Sequence, residues 1–297
     1  MFSHAFNSPI SELNSPLLSA KKIKLLVQRE ELNHSHCMGN KWWKLKYNLL
    51  EAQNNGVNTI LTFGGAFSNH IVATAYACRY FGFKSIGIIR GESMKKLNSS
   101  LQNATDNGMK LHFIDRESYR EKDQIDWKSK FGECVVIPEG GTNELAVRGC
   151  QEMIKDVSFD TVCVSVGTGG TLSGIVRSLK SNQNAIGFSS LKGADFLNTT
   201  LHKYVHSSNW SINMNYHFGG YAKINEELIH FMNNFKFKYG ITLDPIYTSK
   251  MFYGIFDLIR SDYFSSNCTI LAVHTGGLQG IEGMNQKLKT KGWKINY

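Results

Sequence analysis

Residues 59–77 read TILTFGGAFSNHIVATAYA. Thr59 to Phe63 form a β-branched and apolar run that stops at Gly64-Gly65, and beyond it Ile71, Val72, Ala75 and Ala77 recur with helical spacing. That order, strand then glycine turn then amphipathic helix, is the repeating unit of a parallel sheet covered by helices. Similar runs occur at Ile23 to Val27, Ser85 to Ile89, Lys110 to Ile114, Cys134 to Ile137, Thr161 to Val166, Ala185 to Phe188, Trp210 to Met214 and Thr269 to His274. The pattern predicts an α/β fold. Four runs lead into glycine-rich turns: Gly64-Gly65, Gly140-Gly141, Gly167 to Gly170 and Gly276-Gly277. Ligands of open α/β sheets bind outside the carboxyl ends of the strands, so these turns point to one shared site.

A chain of 297 residues has room for two domains or one large one, and its 42% apolar and 19% charged residues exclude wholesale disorder. No apolar run approaches the ~20 residues that span a bilayer. The N-terminal stretch lacks the cationic start and apolar centre of a secretory signal. Six scattered cysteines without a CxxC pair read as reduced thiols of a cytoplasmic protein. His34 and His36 precede a glycine turn, but no third ligand follows at a familiar spacing, so a solvated loop is expected there and no metal. Lys and Arg (33) exceed Asp and Glu (24) by 9, which raises nucleic acid, a lipid surface or a phosphorylated small molecule as anionic partners. The cations are spread along the chain without a nucleic-acid motif, and the basic end KLKTKGWKINY has no helical periodicity. Neither nucleic acid nor membrane is therefore the expected partner, and the tail reads as solvated. Arg116 to Lys130, RESYREKDQIDWKSK, is apolar-poor and reads as a surface linker between two lobes.

Three segments carry chemistry. Gly39-Asn40 reads as a turn delivering Lys41 to the start of a helix marked by Leu45, Leu49, Leu50 and Ala52. Near a positive helix end and apolar neighbours, a lysine amine sheds its proton more readily and becomes a nucleophile. Taken alone, the stretch also fits a solvated lysine at a helix start, and the flanking Trp42 and Trp43 fit either a pocket wall or core packing. Ser68-Asn69 is a good N-cap; alternatively the Ser68 hydroxyl and the backbone amides face a ligand carboxylate. Ser165 to Thr171, SVGTGGT, lacks both the GK[ST] ending and the GxGxxG spacing, which leaves a glycine–threonine nest suited to phosphate. An amine nucleophile, a carboxylate cradle and a phosphate cradle are together what pyridoxal 5′-phosphate chemistry on an amino acid needs.

With these segments in place, the chain resembles the pyridoxal-phosphate enzymes of the tryptophan synthase β-subunit fold, and within them the D-cysteine desulfhydrase and 1-aminocyclopropane-1-carboxylate deaminase group. The motifs are GNKxxKL at Gly39 to Leu45, GGxxSNH at Gly64 to His70, PEGG at Pro138 to Gly141, GTGGT at Gly167 to Thr171, DPxY at Asp244 to Tyr247 and HTGG at His274 to Gly277. The resemblance implies a two-lobed tryptophan synthase β-like fold (fold type II), with parallel-rich central sheets covered by helices. Residues 49–115 would form the smaller α/β domain, and 1–48 with 116–297 the larger, cofactor-binding one. It implies a homodimer and a small amino-acid substrate. Lys41 would be the Schiff-base lysine and the base at Cα, with Lys44 assisting the cofactor phosphate. Gly167, Thr168, Gly169, Gly170 and Thr171 would bind that phosphate. Asn69 would bond the cofactor's phenolic oxygen. Ser68, Asn69 and His70 would hold the substrate carboxylate, and Ser68, Tyr221 and Tyr247 would join Lys41 as catalytic residues.

Two positions separate the group's chemistries. The deaminases carry glutamate after the DPxY tyrosine and leucine after the HxGG histidine, whereas the desulfhydrases carry hydroxyl residues; this chain has Thr248 and Thr275. A hydroxyl beside the pyridine nitrogen protonates the ring less firmly than a carboxylate, giving a weaker electron sink. Loss of thiolate after Cα deprotonation tolerates that, so elimination from D-cysteine is favoured over opening of the cyclopropane ring. Trp43 stands where the family has arginine, and as a pocket wall Trp42 and Trp43 would narrow the substrate site.

Overall fold

The computed structural model describes residues 8–34, 37, 39–93 and 96–297. His36, Met38 and the first seven residues of the N-terminal stretch lie outside them. The strands are β1 (Ile10–Leu13), β2 (Lys24–Gln28), β3 (Thr59–Gly64), β4 (Lys84–Arg90), β5 (Met109–Ile114), β6 (Val135–Ile137), β7 (Thr161–Val166), β8 (Asn184–Ser189), β9 (Trp210–Asn213) and β10 (Thr269–Val273). They form a six-stranded sheet in the order β1-β2-β10-β7-β8-β9 and a four-stranded sheet in the order β5-β4-β3-β6. All neighbours run parallel except β1, which pairs antiparallel with β2 in the register Ile10↔Gln28. Strands covered on both faces bury every residue, as β7 does throughout, so each of the nine expected runs lies within one residue of an observed strand. β1 escaped prediction because its ISEL sequence is short and half polar.

Three expectations are corrected. The four-stranded sheet continues past residue 115: β6 pairs with β3 in the register Ile60↔Val135. The segment 116–130 is accordingly no surface linker. Tyr119 and Trp127, 3% and 6% exposed, pack edge-on against Phe63 of β3 and anchor two short helices, Arg116–Arg120 and Trp127–Phe131, to the sheet. The C-terminal tail is not simply solvated either. Ile295 is buried, and its backbone N–H and C=O are both taken by the Asn285 side chain at 2.8 and 2.9 Å.

Trp42 and Trp43 belong to the core. Trp42 stacks on Phe81, with ring centroids 5.5 Å apart, while the Trp43 indole donates to Glu30 Oε2 at 2.7 Å. Neither lines the cleft described below, so neither narrows it. His34 accepts a hydrogen bond from the Cys37 amide through Nδ1 at 3.1 Å and packs against Tyr76, which places it in a local turn. Among the described residues no helix is long and apolar enough to cross a membrane.

Candidate active site

Lys41 is the second residue of the helix Asn40–Asn54, and glycine is required just before it. Gly39 has φ +76°, and a Cβ there would sit 2.0 Å from the Thr275 carbonyl oxygen. The loop after β10 therefore touches the helix start directly. Asn40 fixes the contact further, its backbone N–H reaching Thr275 O at 3.3 Å and its side-chain amide donating to Thr171 Oγ1 at 2.8 Å. Lys41 is half-buried, and among the described residues no acceptor pairs with its amine. Burial lowers its pKa below the ordinary lysine value, against smaller opposing effects of Cys150, Asp244 and Cys37. An amine that gives up its proton this readily is a competent nucleophile and base.

Lys44 lies on the same helix, and its amine donates to Gly140 O at 2.9 Å and Thr142 Oγ1 at 3.1 Å, with Thr168 Oγ1 at 3.4 Å. This cluster sits at the start of the helix Gly170–Ser178, which opens from Gly169 at φ +84°. The first N–H groups of a helix have no intrahelical partner, and close packing here depends on missing side chains. A Cβ on Gly170 would lie 2.7 Å from Thr142 Oγ1, and one on Gly140 2.9 Å from Thr168 Cγ2. Backbone N–H groups together with a buried cation that has no carboxylate partner among the described residues are the donor set a phosphate needs, so the residues present fit pyridoxal phosphate.

Burial, reinforced by the Lys41 charge, lowers the Lys44 pKa to about 7. A bound phosphate dianion would favour the ammonium and raise that value. Phosphate binding then takes up a proton above about pH 7, and affinity falls as the pH rises from there toward the value in the complex. Titrating inorganic phosphate into cofactor-free protein in buffers of different ionisation enthalpy should show this uptake at pH 8. Lys44→Met should abolish it; uptake that persists in the variant would assign the proton elsewhere.

Lys41 stands in the wall of a small cleft. Its walls bring together Lys44, Asn69, Gly167, Thr168, Gly169, Thr171, Tyr247 and Thr275. Thr275 Oγ1 lies 3.2 Å from Ser165 Oγ, a second wall hydroxyl, and among the described residues no Asp or Glu lines this part of the cleft. A contiguous part, sharing Lys41, Asn69 and Tyr247, is lined by Ser68, His70 and Tyr221. Gly170 opens the phosphate-side helix without being a wall residue, and the Ser68 hydroxyl caps its own helix by accepting from Ile71 N at 3.3 Å.

Thr248 stands apart from the other candidates. It is fully buried, its hydroxyl donates to Asp244 Oδ2 at 2.6 Å, and it lines neither part of the cleft. The Asp244 carboxylate also accepts from the amides of Ile246, Tyr247 and Thr248, so this loop is built around the acid and presents Tyr247 to the cleft. Burial holds the Tyr247 hydroxyl well above its ordinary pKa, and the Tyr221 ring stands edge-on to it with centroids 6.2 Å apart. Lys250 buttresses the Tyr221 turn by donating to Gly220 O at 2.7 Å. The His70 Nε2 lies 2.9 Å from Thr62 Oγ1, whose own proton goes to Ile137 O at 2.9 Å. Nε2 must therefore carry the hydrogen, leaving a neutral imidazole with Nδ1 as a bare acceptor; burial likewise depresses its pKa far below the usual histidine value.

Sequence reading did not single out Ser165, Arg90 or Glu139, all wall residues. Arg90 ends β4 and Glu139 sits in the PEGG turn after β6, so position at a strand's carboxyl end was the available signal.

A family model described as pyridoxal-phosphate dependent enzyme matches residues 4–276. A Thermotoga maritima protein, provisionally named a 1-aminocyclopropane-1-carboxylate deaminase, is 31% identical over 291 residues, 89% of this chain and 92% of its own. An Arabidopsis thaliana mitochondrial protein named a bifunctional D-cysteine desulfhydrase/1-aminocyclopropane-1-carboxylate deaminase is 30% identical over 328 residues, 94% of this chain and 79% of its own. The crystal structure of an ACC deaminase homologue superposes with a TM-score of 0.82 at 26% identity, covering 96% of this chain and 94% of that one.

Proposed function

Because the chain belongs to the pyridoxal-phosphate dependent enzymes, in the group of D-cysteine desulfhydrases and 1-aminocyclopropane-1-carboxylate deaminases, we propose that it eliminates across Cα and Cβ of D-cysteine, yielding pyruvate, ammonia and sulfide. The observation that carries this reading is the Ser165–Thr275 hydroxyl pair in the part of the Lys41 cleft that, among the described residues, no Asp or Glu lines. Bound pyridoxal phosphate supplies an electron sink for the pair left when the Cα–H bond breaks. The Ser165 and Thr275 hydroxyls would support the cofactor as a moderate sink, sufficient where a thiolate leaves from Cβ.

The chain's own residues supply the rest. Lys41, its amine made easier to deprotonate by burial, takes the Cα proton. The helix start at Ser68 offers amide donors to the substrate carboxylate. Tyr247, held protonated by burial, donates to the departing sulfur, and Tyr221 orients it by edge-on ring packing. The Thr248 hydroxyl supports this indirectly, through Asp244, by shaping the loop that carries Tyr247.

Incubating purified holoenzyme with D-cysteine, L-cysteine and 1-aminocyclopropane-1-carboxylate, with 2-oxo acids and sulfide identified, tests the proposal. Pyruvate with one equivalent of sulfide from D-cysteine is expected. Release of 2-oxobutanoate from the cyclopropane substrate, with no sulfide from either cysteine, would replace it with ring-opening deamination.

A further inference from the structure

A side recess opens from the substrate part of the cleft, with which it shares Gly65, Arg90 and Tyr221. Its remaining wall includes Phe67, Met284 and Lys287, and among the described residues it contains two cations and no carboxylate. Arg90 is placed by a close approach: a Cβ on Gly65 would lie 3.3 Å from Arg90 Nη2, so the guanidinium rests on the glycine turn that leads into Ser68 and Asn69. Its other neighbour is the Tyr119 ring, 5.5 Å from Cζ. Lys287 sits over the Phe67 ring at 4.7 Å. Among the described residues neither cation is in a salt bridge. Glu139, an acid on the adjoining cleft wall, has Lys122 at 3.7 Å as its own counter-ion.

We propose that this recess receives a second anionic group of the substrate, so that the enzyme prefers D-amino acids whose side chain carries a negative charge beyond Cβ, held by Arg90 and Lys287. The preference rests on the elimination reading for its catalytic consequence, but not for binding. With D-serine O-sulfate, Lys41 removes the Cα proton, the Cβ–O bond breaks, and its electron pair leaves with sulfate. The three-carbon remainder takes up one water to give pyruvate and ammonia. An arginine and a lysine facing an anion give charge-assisted hydrogen bonds, whose strength falls as salt is added.

Calorimetric binding of the near-isosteric pairs D-aspartate/D-asparagine and D-glutamate/D-glutamine to the holoenzyme tests the proposal without any turnover. The acid of at least one pair should bind roughly tenfold tighter or better than its amide, consistent with a hydrogen-bonded charge pair. Arg90→Gln and Lys287→Gln should each reduce that ratio at least about threefold, and 0.5 M salt should compress it. Equal affinities within both pairs would overturn the proposal, as would a ratio that both variants leave intact. Turnover of D-serine O-sulfate and of β-chloro-D-alanine separates the two readings. Pyruvate from both, with no preference for acids in binding, removes the anion recess and leaves elimination standing. A preference for acids with no pyruvate from any substrate does the reverse.

Discussion

Replacing Lys41 by alanine is expected to give a folded protein that lacks the absorbance near the visible edge of a covalently held pyridoxal group and loses elimination by roughly 10²–10⁴-fold or more. The magnitude follows from Lys41 being both the covalent anchor and the Cα base. The fold should not suffer, because the amine has no partner among the described residues. Its lowered pKa means that the native state binds fewer protons than the unfolded chain between that value and the ordinary 10.5. Stability of the cofactor-free protein should thus rise with pH across that window; Lys44 and Lys250, lowered to about 7 and about 8, contribute in the same direction, so Lys41→Ala should show a smaller rise than the unaltered protein. Lys44→Ala separates anchoring from phosphate binding: the absorbance should persist at saturating cofactor, at lower affinity. Absorbance and activity surviving in Lys41→Ala would remove Lys41 from the chemistry.

The sequence was most informative where one local rule governs. Thr59–Gly64 and Thr161–Val166 are covered on both faces, so a β-branched and apolar run identified each within a residue. Ser68 caps its helix as its type and position imply. Elsewhere, local rules misled. The charged stretch 116–130 concealed two aromatic anchors, Tyr119 and Trp127, whose partner Phe63 lies more than fifty residues away in sequence. Trp42 and Trp43 adjoin Lys41 in sequence yet point into the core, because successive helical residues face different directions. Thr248 follows a cleft tyrosine but spends its hydroxyl on Asp244. Motif spacing finds the neighbourhood; which side chain reaches the cleft depends on contacts between distant segments.

Gly149 shows the same dependence on distant contacts with a change of sign. It lies inside the helix Glu144–Gln151, where helix propensity alone predicts that Gly149→Ala would stabilise by about 0.8–1.0 kcal/mol. In the structure a Cβ there would lie 1.8 Å from the Trp43 carbonyl oxygen and 2.9 Å from its carbon, both backbone atoms of the helix that bears Lys41 and Lys44. The helix cannot retreat the other way. Gly174, on the phosphate-side helix Gly170–Ser178, already touches its far face, where a Cβ would meet Val147 O at 2.6 Å and Cys150 Cβ at 2.3 Å. Two glycines therefore set the spacing between the amine-bearing helix and the phosphate nest. Gly149→Ala is expected to destabilise by about 3 kcal/mol, at the upper end of ordinary overpacking. It should lower the urea midpoint at unchanged slope, and it should weaken cofactor binding by displacing Lys41 and Lys44 from the phosphate side. Gly280→Ala is the control. Gly280 begins a helix, and nothing lies within 4 Å of its absent Cβ, so its effect should stay within about 1 kcal/mol. If Gly149→Ala unfolds at the same urea concentration as Gly280→Ala and binds the cofactor as tightly as the unaltered protein, the close helix contact does not set the geometry of the site.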